Sequence, residues 1–138
     1  MDPVGPLVDA AVAVAPNMTN EDEDFAAKWF AEWTPPAIHG TATQELVDLI
    51  DLDPETAWTR ILFLIRAAPN DFGLTCVAIP LEQLLCAHGA LFIDRVEDAA
   101  AGNARFKWCL KWVCGDTRMT AAVHVRMRRA TAWGEGLE

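Results

Sequence analysis

An all-α fold follows from three features of the sequence. Apolar residues recur at spacings of three and four through nearly every segment, which lays them along one face of a helix. Helix-capping residues and prolines stand where these runs begin, and glycines where they end. No stretch shows the sustained alternation or β-branched runs that strands require. Short joints between the runs predict a compact bundle, or a short solenoid-like array, of about seven or eight short antiparallel helices.

Residues 1–18 hold three of the eight prolines and mostly small apolar side chains, the composition of an arm that is extended or loosely packed on the body. Asn20 then reads as a helix cap with Glu21, Asp22, Glu23 and Asp24 in the first turn, where acids favour the macrodipole. Phe25, Trp29 and Trp33 follow at four-residue spacing as a stripe that buries against a neighbour, and Thr34-Pro-Pro36 ends the helix. Thr41 or Thr43 caps a short helix carrying Leu46, Val47, Leu49 and Ile50. Asp53-Pro54-Glu55 supplies the cap, first-position proline and first-turn acid of the next, which runs through Trp58, Ile61, Leu62, Leu64 and Ile65 to Ala68-Pro69. Asn70-Asp71 caps a further short helix over 72–79, and Pro80 starts another through Leu81, Leu84 and Leu85 that Gly89 closes in a left-handed C-cap. Leu91, Phe92, Val96, Ala99 and Ala100 form one more, ending at Gly102; Asn103 then caps Phe106, Cys109, Leu110 and Val113, with Gly115 as terminator. Thr117 to Trp133 form a basic amphipathic helix, and residues 134–138 are a flexible polar tail.

A chain of 138 residues, 52% of them hydrophobic, is long enough to bury a core and too apolar for a disordered polymer. Residues 19–133 read as one helical domain. The longest uninterrupted aliphatic and aromatic run in the middle of the chain, Ile61 to Ile65, falls far short of the ~20 apolar residues of a membrane span, so no membrane is expected. The first residues carry Asp2 and Asp9 where an export signal needs positive charge, which predicts a cytoplasmic protein. The four cysteines, Cys76, Cys86, Cys109 and Cys114, sit inside apolar helical patterns and read as free buried thiols.

Charge is unevenly spread. Residues 1–59 hold twelve acids and one base, Lys28, whereas residues 60–138 hold eight acids and ten bases, for a net charge of -9. Seven bases, Arg105, Lys107, Lys111, Arg118, Arg126, Arg128 and Arg129, face the single acid Asp116 between residues 103 and 133. An acidic protein is repelled by nucleic acid at long range, which disfavours direct nucleic-acid binding.

The segments Asp53-Pro-Glu-Thr-Ala-Trp58, Ala68-Pro-Asn-Asp71, Pro80-Leu-Glu82, Leu84-Leu85, His88-Gly89, Phe92-Ile-Asp-Arg-Val-Glu97 and Arg105-Phe106 resemble a family of small, all-helical bacterial domains of unknown function. That family typically carries a glycine just before the Pro-Leu-Glu triplet, where this chain has Ile79. The resemblance implies a helical, intracellular protein and no particular activity. In the same segments His88-Gly89 reads as a helix end whose imidazole bonds the last carbonyls, and Glu82 as a first-turn acid open to a neighbouring arginine.

Catalytic and metal chemistries find little footing. A cysteine nucleophile needs a base within hydrogen-bond reach, and His88 lies two positions after Cys86, on a different helix face. The cysteines and histidines form neither a Cys-x-x-Cys nor a His-x-x-x-His pair, so no metal, no cofactor and no enzyme are expected. The expected function is that of a cytoplasmic binding protein, most concretely an immunity or antitoxin-type inhibitor that occludes the active site of a basic toxin. The expected contact residues are Glu21, Asp22, Glu23 and Asp24, with Asp48, Asp51 and Glu55 behind them, because opposite potentials speed encounter and fix orientation. The alternative expectation is a helical adaptor subunit whose basic face, Lys107, Lys111, Arg126, Arg128 and Arg129, meets an acidic partner.

Overall fold

The computed structural model describes residues 19–35, 40–113 and 118–132, which form six helices and, among the described residues, no strand. These are α1 (Asn20–Trp33), α2 (Thr41–Leu52), α3 (Pro54–Ala67), α4 (Asp71–Gly102), α5 (Ala104–Leu110) and α6 (Ala121–Ala132). The expected arm over 1–18, Gly115 and Thr117, Trp133 and the tail lie outside the described residues.

Start signals fall close to where local chemistry puts them. α1 begins one residue earlier than Asn20 predicts: Thr19 accepts from the Asp22 N–H, and the Asp22 carboxylate takes the Thr19 N–H in a reciprocal capping box. Asp53 closes α2 through its N–H to the Leu49 carbonyl and caps α3 by accepting from the Thr56 N–H. One residue therefore serves as the whole joint, and α2 and α3 fold back so that Glu45 on one reaches Arg60 on the other at 2.7 Å. Asn70 caps α4 at Gly73, and Asn103 caps α5 at Phe106.

The main departure is α4. Three short helices were expected between residues 71 and 102, yet the chain runs as one helical stretch of 32 residues, which brings the count among the described residues to six rather than seven or eight. Pro80 lies inside the helix instead of starting one. A proline forfeits one interior hydrogen bond, and here burial among the other helices offsets that loss. The chain bends at His88, whose backbone (φ -137, ψ 29) leaves the helical region for a single residue. Gly89 is no left-handed cap. A Cβ there would come within 2.8 Å of Val123, so glycine is needed for the close approach of α6.

α4 touches every other described helix and supplies much of the core through Leu81, Leu84, Leu85, Phe92, Ile93 and Val96. Trp58 of α3 packs on Phe92 and Phe106, with ring centroids 5.7 and 5.8 Å apart. α4 is also the one described helix long and apolar enough to cross a membrane, with a window of mean hydropathy 1.6, but 56% of that window is buried inside the fold. Its apolar residues are thus already used as core. α6 lies parallel to the second half of α4 rather than antiparallel, since Arg118 meets Glu82, Val123 meets Gly89 and Arg126 meets Asp94 and Glu97. The short α5 between them returns the chain to the same end.

Candidate functional site

Three helix ends in this fold, the two of α2 and the last of α3, are capped by side chains from other helices. At the start of α2 the residue in the capping position is Gly40, which has no side chain to offer, so neither Thr41 nor Thr43 is the cap. The Glu32 carboxylate of α1 accepts instead from the N–H groups of Gly40, Ala42 and Thr43 at 2.8–3.0 Å and from the Thr43 hydroxyl at 2.7 Å. Desolvation pushes the Glu32 pKa up, but the hydrogen bonds from Thr43, Ala42 and Gly40 together outweigh it and hold the group at about 2. At the other end of α2, His88 Nε2 donates to the Ile50 carbonyl at 2.7 Å. The imidazole does bond a last-turn carbonyl, though that of α2 rather than of its own helix. Arg105 of α5 likewise donates to the carbonyls of Ile65 and Ala68, the orphan acceptors at the end of α3.

These ties absorb most of the residues that carry the family resemblance. Asp53, Asn70, His88 and Arg105 cap helices; Trp58, Phe92 and Phe106 are core; Gly89 seats Val123. Glu55 takes a bidentate pair from Arg95 at 2.7 and 2.9 Å, and Glu82 takes Arg118. Asp94 and Glu97 both bond Arg126. The hydrogen bond from Arg126 holds the Glu97 pKa below the usual carboxylate value, and the one from Arg95 does the same for Glu55.

Five of the seven expected acidic contact residues, Glu21, Glu23, Asp24, Asp48 and Asp51, are exposed and engage no cation among the described residues. Asp48 accepts from Gln44 on its own helix. Asp22 is held in the α1 capping box and Glu55 by Arg95, so these two are structural. The seven do not converge on one patch. Glu23 borders a recess with Arg66, Ala67 and Pro69 at the end of α3, whereas Asp51 and Glu55 flank its start, about 18 Å away along the helix axis. The expected basic face is reduced as well, because Arg126 is bound to two carboxylates of α4.

Cys76 and Cys109 are buried core thiols, whereas Cys86, expected to be buried too, is half-buried at the edge of the core. Cys109 is buried, donates to the Leu74 carbonyl, and burial pushes its pKa up to about 12. Burial also raises Cys76 and Cys86, the opposite of what thiolate chemistry requires. Cys114 lies outside the described residues, and among those described no three His, Cys, Asp or Glu side chains converge as metal ligands.

Sequence reasoning missed an apolar seam between α2 and α4. A cleft of about 230 Å³ opens there, lined by Trp29, Trp33, Leu46, Val47, Ile79 and Pro80 with the polar Thr43 and Gln83. Val47 and Ile79 stay 36% and 42% exposed. Both belong to periodic apolar runs, and periodicity marks the inward face without showing where two helices fail to close.

The fold and its surface define an all-helical domain built on inter-helix capping, with unpaired acids on α1 and α2 and an open apolar seam beside them. The chain belongs to a family of unknown function, DUF6869, whose model matches residues 36–134. No curated protein and no solved structure matches it.

Proposed function

We propose that this chain is a non-catalytic protein-binding domain of the cytoplasm, an immunity or antitoxin-type inhibitor that holds a basic toxin and covers its active site. The observation that supports this is the uneven use of charge. Arg60, Arg95, Arg118 and Arg126 are paired with carboxylates of other helices, while Glu21, Glu23, Asp24, Asp48 and Asp51 are exposed and meet no cation among the described residues. The carboxylates of Asp22, Glu32 and Asp53 bond backbone N–H groups rather than cations. Residues 19–35 and 40–59 therefore stay acidic in three dimensions, which suits fast encounter with a cationic surface.

The test is affinity capture from the source cell, followed by co-expression of the captured protein with and without this chain. A basic partner that is toxic alone and harmless in co-expression is the expected result. Its association rate should fall steeply as salt rises. An acidic or harmless partner, or a rate indifferent to ionic strength, overturns the reading.

A further inference from the structure

We infer that the α2/α4 seam is the seat of a basic amphipathic helix supplied by the partner protein. This rests on the reading of a basic partner and adds how that partner is gripped. Contacts between the two helices fix the course of the seam: Val47 and Leu46 stand beside Ile79 and Pro80, and the Ile50 carbonyl beside His88. α2 and α4 thus run side by side in the same direction. Beyond α2, Glu55 at the start of α3 meets Arg95. Leu91 sits between His88 and Arg95 on α4 and is 67% exposed. Two of the seven large exposed hydrophobic residues among those described, Val47 and Ile79, line the cleft itself, and Leu91 lies further along α4, past the bend at His88. Ile79 and Leu91 are twelve residues apart on α4, about 18 Å by helical rise. Such a groove takes one face of an amphipathic helix, read at every third or fourth residue.

Charge selects the occupant. Asp51 follows Val47 by one turn on the same side of α2, with Asp48 next to it, and among the described residues no cation lines the cleft. The far end is neutral, because Arg95 is held by Glu55. A helix with lysines or arginines beside its apolar stripe therefore complements both the floor and the rim. The chain's own residues 1–18 are apolar too, but they carry Asp2 and Asp9 and no base, so they would bring like charge to an acidic edge.

The experiment uses two synthetic peptides of about 14 residues, one of leucine and lysine in helical amphipathic order and one with glutamate in place of lysine. Each is titrated into the full chain while tryptophan fluorescence is followed, since Trp29 and Trp33 line the seam. The lysine peptide is expected to bind and the glutamate peptide not. Val47→Glu and Ile79→Glu should each weaken the lysine peptide about tenfold, although each adds a negative charge that would strengthen a merely electrostatic association. Both positions are partly exposed, so the variants are expected to fold, which circular dichroism checks. Equal binding of the two peptides, or binding unchanged or tightened by these substitutions, overturns the proposal. So does a dimer that Val47→Glu dissociates, which gives the seam to a second copy. So does a change in tryptophan fluorescence on Asp2→Lys/Asp9→Lys without peptide, which gives it to the amino-terminal segment. A captured partner that is lost on Asp48→Lys/Asp51→Lys but kept by the seam variants sinks this inference alone and leaves the inhibitor reading standing.

Discussion

Glu32 shows how a single residue can govern a helix to which it does not belong. Its carboxylate replaces the side-chain cap that Gly40 lacks, taking three backbone N–H groups and one hydroxyl. Glu32→Gln removes the charge, and the loss at neutral pH should be about 1 kcal/mol, the worth of an N-cap discounted for partial exposure. Because the folded pKa is depressed from 4.5 to about 2, the carboxylate's contribution is complete above pH 4.5 and disappears as pH falls through about 2. Urea melts of the two proteins should therefore differ at pH 7 and converge toward pH 2. A gap that persists at pH 2 would place the effect in packing. His88 is the complementary case at the other end of α2. His88→Ala leaves the Ile50 carbonyl without its donor and is expected to cost about 1–2 kcal/mol, with His88→Gln recovering part of it in thermal melts.

At the scale of elements, the junction of α4 with α6 turns on one missing methyl group. Gly89 lies so close to Val123 that any Cβ would meet it at 2.8–3.3 Å. Gly89→Ala should destabilise the fold by about 1–3 kcal/mol through overpacking, even though alanine is the better helix former. Val123→Ala in the same chain should return part of that loss, because it clears the space the new methyl occupies. Additive losses in thermal denaturation would show that the two residues do not meet. The same junction explains why residues 71–102 form one element. Each local punctuation mark, Pro80, His88 and Gly89, is weak alone, and contact with five other helices carries the backbone through all three. The bend falls at His88 because its ring is drawn sideways to α2.

On the scale of the whole molecule, the charge asymmetry of the sequence survives folding but changes its meaning. Much of the basic half turns inward as clamps, with Arg105 closing α3, Arg118 and Arg126 joining α6 to α4, and Arg95 fixing α3 to α4. Glu21, Glu23 and Asp24 of α1 and Asp48 and Asp51 of α2 have no such duty among the described residues. Asp48→Lys/Asp51→Lys tests this cleanly, because cations near the C-terminal end of a helix favour its dipole. The double variant is expected to melt within a few degrees of the parent, while its association with a basic partner slows by about tenfold at low salt. A large drop in melting temperature would show that these carboxylates hold the fold together.

Helical class, most start positions and the caps at Asp53, Asn70 and Asn103 were legible in the sequence, because capping and amphipathic spacing are set by residues within one or two turns of each other. The acidic character of α1 and α2 was legible for the same reason. Only the tertiary structure decided that Glu32, His88 and Arg105 cap helices remote in sequence, that Gly89 serves a helix crossing and that Arg126 is bound rather than displayed. Nothing in local periodicity separates Val47 and Ile79 from their buried neighbours. Whether an apolar position is covered depends on how closely two helices approach, and that distance is fixed by packing across the whole chain.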